Sequence, residues 1–390
     1  MKILVYCDCI ERMKFYNTIF SNYKNMFVFL SDKYSVYIKI KRQGYKSYWL
    51  KRSNSHHAPK DEIAKSIEVM NNIISITDAK LFYSSVFSSL EYILRLEGFS
   101  HIVIWNGSTI AGNAIRAFKE KQKEVKTLFL EISNIPGKLV VDPVGVNAES
   151  SIYYNNSILN DMPKVPHSEY ITWRNEYLQQ KRNYVPPQAV IKSKVNYLSV
   201  VDRIFSLVFS SPILDQRSFL EKIIQKRKQR IVISYSNLIP SDYVFLPLQV
   251  TSDTQIKLNS DVDNIEAINF AKEYAFKRKL LLAIKVHPAE TDINFIGYVK
   301  SIESEFIKVV NSDTNELVNN AKSVIVINST VGLESMILEK EVIVLGRAIY
   351  NKFDQEMLKK YILRYLLSID YFNPKPLDDK LLKHFIERAS

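Results

Sequence analysis

Apolar residues fall into short runs separated by stretches where they recur every three or four positions. This is the alternation of buried strands and amphipathic helices that builds α/β layers. In the first half, residues 2–6, 26–30, 36–39, 101–105 and 126–131 read as strands, and 61–76, 83–96 and 111–119 as helices. Residues 132–190 are richer in Asn, Pro and Tyr with little periodicity, which predicts a long functional loop region with some helix. A mostly helical stretch, 199–230, closes on the basic run Lys226-Arg227-Lys228-Gln229-Arg230. A second series then opens, with strands at 231–235, 243–247, 280–285, 306–310, 323–327 and 342–345. Helices are expected at 263–277, 315–320 and 330–338, and terminal helices at 355–367 and 376–388. The pattern predicts an α/β lobe over 1–220, a second over 221–360, C-terminal helices over 361–390, and a cleft between the lobes.

The length, 390 residues, fits two domains. The 53 Lys and Arg against 41 Asp and Glu leave a net charge of +12, which favours partners carrying phosphate or carboxylate. With only 9 glycines there is no GxGxxG and no GxxxxGK[ST], so the dinucleotide and P-loop fingerprints are absent. Cys7 and Cys9 are the sole cysteines, two apart at a strand end, a poor geometry for a disulfide. A reducing compartment and a cytoplasmic protein are therefore expected. The apolar start is cut at Asp8, too early for a signal peptide, and no uncharged run approaches a membrane span.

Four segments carry candidate chemistry. The strand ending at Ile327 runs into Asn328-Ser329-Thr330-Val331-Gly332-Leu333-Glu334. Hydroxyls and free N–H groups at a helix start beyond a parallel strand form an anion site, although Ser329 or Thr330 alone reads equally as a helix cap; Glu334, one turn in, suits ribose hydroxyls or a surface place favoured by the helix dipole. Lys285-Val286-His287-Pro288 follows a second strand, with Lys285 and His287 on one face, suited together to a phosphate. Pro247-Leu248-Gln249 leads into a polar loop holding Asp253, a candidate nucleophile or acid/base group and equally a helix cap. Glu131, at a strand end facing the 132–190 region, is a candidate general base.

Together these pieces, with Leu345-Gly346-Arg347-Ala348-Ile349-Tyr350 and Gly145-Val146-Asn147, resemble the capsule polysaccharide biosynthesis family, whose members include retaining β-Kdo (3-deoxy-manno-octulosonic acid) glycosyltransferases. The resemblance implies a GT-B-like pair of Rossmann-type lobes using CMP-Kdo as donor. It implies Asp253 as nucleophile and Glu131 as base, with His287, Lys285, Gln249, Asn328, Ser329, Thr330 and Glu334 holding the donor. It also implies a lipid or glycolipid acceptor, such as an anionic phospholipid or a lipid-linked glycan. Peripheral association with the inner face of the cytoplasmic membrane and contact with the capsule machinery follow from the same likeness. A single leaving phosphate needs no divalent metal, and no cofactor is expected. Asp261-Val262-Asp263 precedes a helix, so Asp263 reads as a cap, and the His56-His57 pair lacks cluster partners.

The nearest rivals are a CMP-sialic-acid-type transferase and a nucleotide-sugar epimerase of the same fold. Scattered positive charge without an RNP-like, zinc or helix-turn-helix signature argues against nucleic acid. The stretch 200–209, with Phe205 and Phe209, reads as core or as a helix on a membrane surface.

Overall fold

The computed structural model describes residues 1–56, 58–182, 197–208, 211–215 and 242–389. The chain forms two compact units, Met1–Arg217 with Lys360–Ser390, and Ser218–Lys359.

In the first unit, strands β1 (Ile3–Tyr6), β2 (Phe27–Ser31), β3 (Lys46–Trp49), β4 (His101–Trp105), β5 (Lys126–Ile132) and β6 (Leu139–Asp142) form one sheet in the order β3-β2-β1-β4-β5-β6. All pairs are parallel except β5 with β6. β1, β2 and β4 are buried along their whole length, as expected of apolar runs covered by helices on both faces. Helix Ile76–Glu97 starts on Ser75, whose hydroxyl accepts from the Asp78 N–H, and ends at Gly98 in the left-handed region (φ 64°).

Three expectations are corrected here. Residues 36–39 belong to helix Tyr34–Arg42, which buries Val36 and Ile40, a one-turn spacing that a four-residue apolar window cannot tell from a strand. The helix expected at 61–76 is two short helices, Lys60–Ala64 and Ile67–Met70, before the cap at Ser75. The loop region with some helix expected over 132–190 does hold helices, Ser151–Tyr154, Ser157–Asn160 and His167–Arg182, but also the strand β6, which was not expected. Asp142 organises this stretch. Its buried carboxylate accepts from Val144 N, Gly145 N, Ser151 N, Ser151 Oγ and Tyr365 Oη.

The C-terminal segment packs into the first unit. Leu367 exchanges backbone hydrogen bonds with Leu139, at 2.9 and 3.0 Å. Phe385 in helix Asp379–Glu387 is fully buried and meets Phe20 edge-on, with centroids 5.8 Å apart. In helix Tyr197–Val208, Phe205 stacks on Tyr34 at 3.9 Å and Asp202 accepts from the Ser35 N–H, so this face is turned inward while Ile204 and Val208 are exposed. Phe209 lies outside the described residues, as does His57.

In the second unit, β7 (Tyr243–Pro247), β8 (Leu281–Lys285), β9 (Ile307–Val309), β10 (Ala321–Val326) and β11 (Glu341–Val344) form a wholly parallel sheet in the order β11-β10-β7-β8-β9. The expected strand 231–235 and the basic run before it fall outside the described residues. In each unit the strand order reverses once, between β1 and β4 and between β7 and β10. Open parallel sheets bind ligands at the carboxyl side of that reversal.

Candidate active site

In the second unit the reversal is bridged by side chains. Gln249 follows β7 and Asn328 follows β10. Gln249 Nε2 donates to Asn328 Oδ1 at 3.0 Å, and Asn328 N donates to Gln249 Oε1 at 3.2 Å. Asn328 Nδ2 donates to the carbonyls of Gln255 (2.9 Å) and Asn259 (3.2 Å), fastening helix Thr254–Asn259 across the reversal. Both amides are thus committed to protein groups. They hold the loop rather than present themselves to a ligand.

That loop carries Asp253. Its Oδ1 accepts from Gln255 N at 2.9 Å, capping helix Thr254–Asn259, and its Oδ2 accepts from Gln249 Nε2 at 3.2 Å. The cap and functional readings coincide. The carboxylate is fixed on both oxygens yet only partly buried.

His287, just past β8, is exposed. Its Nδ1 accepts from Ala289 N at 3.0 Å, which assigns the proton of the neutral ring to Nε2 and leaves that N–H as a donor. Partial desolvation keeps its pKa below the usual histidine value against the opposing pull of Asp253 and Glu290, so the ring is neutral at pH 7. Glu290 went unnoticed in the sequence. It is buried, takes Thr251 N (2.7 Å) and Thr251 Oγ1 (3.1 Å), and so anchors the loop two residues before Asp253. The available signal was its place three residues after His287.

Beyond β10, the Ser329 hydroxyl accepts from Val331 N at 3.2 Å and caps helix Thr330–Ile337, while Thr330 is exposed at its start. Glu334 sits one turn in, half-buried. The Tyr350 hydroxyl donates to the Ser329 carbonyl, which ties the Gly346–Tyr350 segment to the helix start.

Lys285 is not paired with His287. Its Nζ donates to the Ser312 carbonyl (2.8 Å) and Thr314 Oγ1 (2.9 Å), tethering the loop after β9. Shared strand parity placed the two on one face, but the carbonyl and hydroxyl beside β9 claim the ammonium. Asp261 pairs with Arg347 at 2.7 Å. Asp263 caps helix Asn264–Lys277 in a capping box with Glu266. Among the described residues no three His, Cys, Asp or Glu side chains are grouped as a metal site.

In the first unit, Glu131 near the end of β5 accepts from Asn106 Nδ2 at 3.1 Å, and its other oxygen from Ile132 N at 3.0 Å. Asn106 stands at the reversal beyond β4, in the left-handed region (φ 59°) that asparagine tolerates. Burial raises the Glu131 pKa, with Ile132 N–H and the Arg12 charge opposing, an environment suited to a base. The sequence did not single out Arg12, whose charge acts on Glu131, nor Asp32 and Glu68, which feel the charge of Asp8. Arg12 donates to Asp8 at 2.5 Å and lies 5.1 Å over the Trp105 ring. Burial pushes Asp32 up to about 6 and Glu68 up to about 7. The one clue in the sequence was Asp8, which cuts the first apolar run two residues past β1. Cys7 and Cys9 are both free thiols.

Two Rossmann-type α/β units in one chain are the GT-B-like composition expected from the sequence, and each carries polar side chains at its own strand-order reversal. The model of the family described as capsule polysaccharide biosynthesis protein matches residues 101–354, and the chain belongs to that family. Protein FixF of Sinorhizobium fredii is 28% identical over 257 residues, 64% of this chain and 49% of the relative. The capsule polysaccharide export protein KpsS of Escherichia coli is 29% identical over 147 residues, 35% of this chain and 38% of the relative. The chain thus spans about half or less of these curated relatives. Among solved structures, the Thermosulfurimonas dismutans KpsC beta Kdo 2,7 transferase aligns over 99% of this chain and 98% of its own, at 13% identity and a TM-score of 0.47. Its beta Kdo 2,4 transferase covers 74% of this chain and 88% of its own, at 18% identity and a TM-score of 0.39.

Proposed function

We propose that this chain is a glycosyltransferase that moves Kdo from CMP-Kdo to a lipid-linked or glycolipid acceptor in capsule assembly, retaining configuration by double displacement. The observation that carries the reading is Asp253, held on both oxygens at the strand-order reversal with the free Nε2–H of a neutral His287 nearby. In the first step an Asp253 oxygen bonds to the anomeric carbon of Kdo as the bond from that carbon to the CMP phosphate oxygen breaks. The departing phosphate gains charge, and the His287 N–H with the helix start at Ser329 and Thr330 would stabilise it. In the second step an acceptor hydroxyl, its proton passing to Glu131, displaces Asp253 from the same carbon. Two inversions restore the configuration. Within the donor set, Gln249 and Asn328 act by positioning Asp253, and Glu334 is assigned to the ribose. Lys285 acts at one remove, through the loop it tethers.

The acceptor side rests on family membership and on the basic balance, +12, which suits an anionic lipid surface. No helix among the described residues is long and apolar enough to cross a membrane. Peripheral attachment to the inner membrane face and recruitment by capsule machinery belong to this proposal. Flotation with phosphatidylglycerol vesicles, with and without salt, tests the first of these, and no flotation would remove it.

Calorimetric titration with CMP, UDP and GDP on the wild type and His287→Ala tests the donor. We expect selective CMP binding that His287→Ala weakens roughly tenfold, the size of a lost charge-assisted hydrogen bond. Preference for UDP or GDP discards the CMP-sugar reading, and unchanged CMP affinity in the variant removes the phosphate role of His287.

A further inference from the structure

Away from both strand-order reversals, at the β3 edge of the first unit's sheet, lies a cavity of about 520 Å³. Its walls include the rings of Tyr48 and Trp49 from β3 and Tyr92 from helix Ile76–Glu97, with Lys51 and Arg52 following the strand. Tyr48 and Tyr92 meet edge-on, with centroids 6.3 Å apart at 84°. Among the described residues, Lys51 and Arg52, both exposed, pair with no carboxylate, and no Asp or Glu lines the cavity.

These features are independent of one another and point to one kind of occupant. Aromatic walls offer large, stiff faces to the C–H side of a sugar ring and exclude water from its hydroxyls. Two unpaired cations beside a cavity without carboxylates select an anion. The edge-on rings do not form the parallel slot that a flat nucleotide base fills. The concave shape suits a discrete sugar unit better than a bilayer surface.

We propose that this cavity is a second carbohydrate site, which binds an anionic sugar residue of the acceptor or product glycan separately from the donor site. The choice of glycan rests on the transferase reading above. The anion selectivity rests on Lys51, Arg52 and the absence of acidic residues.

The test is calorimetry on the full chain, without nucleotide, using a Kdo–Kdo disaccharide as probe and lactose as the neutral control. Kdo disaccharide should bind and lactose should not. Lys51→Ala/Arg52→Ala should weaken binding roughly tenfold or more, as should Tyr92→Ala, with CMP affinity unchanged in both. These side chains are exposed, Tyr92 by 51%, so the variants keep the fold. Equal binding by wild type and double variant would assign the signal to the donor site and overturn the proposal. So would no binding by the wild type, displacement of the disaccharide by CMP, or binding confined to phosphatidylglycerol vesicles. Loss of CMP selectivity with disaccharide binding intact would sink the donor reading alone.

Discussion

Asp253 illustrates how much one residue's role depends on neighbours far along the chain. By local chemistry it is an N-cap, and the Gln255 N–H it accepts is the ordinary partner of one. What separates it from Asp263, Asp292 and Asp313, which cap helices Asn264–Lys277, Ile293–Ser301 and Thr314–Asn320, is its second oxygen, which meets Gln249 at a point where Asn328, 75 positions further on, completes the bridge (328 − 253 = 75). If Asp253 is the nucleophile, Asp253→Asn should lower Kdo transfer at least about 10³-fold while CMP still binds, as single-turnover assay and calorimetry would report. A near-normal rate would end the double-displacement scheme.

Glu97 shows the same dependence in a structural role. Burial alone would raise its carboxyl, but hydrogen bonds from Lys2 at 2.6 Å, Lys46 at 2.5 Å and the Tyr48 hydroxyl outweigh this and bring it down to about 2. A depressed pKa contributes stability that is present above the unfolded value, near 4.3, and is lost as pH falls toward about 2. With its lysine partners partly exposed, the contribution is about 1–2 kcal/mol. Thermal melts should therefore show Glu97→Gln less stable than wild type at pH 7, with the gap closing between pH 5 and about 2. A constant gap across that range would contradict this assignment.

At the scale of elements, helix Thr330–Ile337 is placed as much by contact as by its cap. A Cβ at Gly332 would fall 2.7 Å from ring atoms of Tyr350, whose hydroxyl holds the Ser329 carbonyl. Gly332→Ala must push that ring away and loosen the helix start, at a cost of about 1–3 kcal/mol. It should weaken CMP binding as well as lower the melting temperature. Wild-type values for both would show that Tyr350 does not position this helix. Strand legibility followed continuous apolar runs. β1, β4, β7 and β10 are apolar runs bounded by polar residues, and each was legible. β3 was not, because an edge strand reading Lys-Ser-Tyr-Trp carries no continuous apolar signal. β6 is a short apolar run, Leu139-Val140-Val141, passed over inside a segment rich in Asn, Pro and Tyr, and helix His167–Arg182 was hidden because its residues are mostly polar and its apolar positions form no clear face.

At the scale of the whole molecule, the chain does not end in the unit it has just built. Residues from Lys360 onward return to the first unit, where Leu377, Leu382 and Phe385 join the core that includes Phe20 and Phe27. Phe385→Ala opens a cavity there, at a cost of about 3–5 kcal/mol. Differential scanning calorimetry should show the transition of the first unit lowered and that of the second unchanged. An equal shift of both would mean that the two units unfold as one.

By itself the sequence determined the class of fold, two α/β series of parallel strands, because burial on both faces writes itself into continuous apolar runs. It also determined that Glu131, Gln249, His287 and Asn328 stand at or just past strand ends and Asp253 in the loop after one, since motif and position coincide there. Only the tertiary structure decided what those residues touch. It turned Lys285 toward Ser312, joined Gln249 to Asn328, put Glu290 under the Asp253 loop and brought Arg12 beside Asp8 and Glu131. Hydrogen bonds between strand ends depend on strand order and on which donor reaches which acceptor first. Neither quantity is local in sequence.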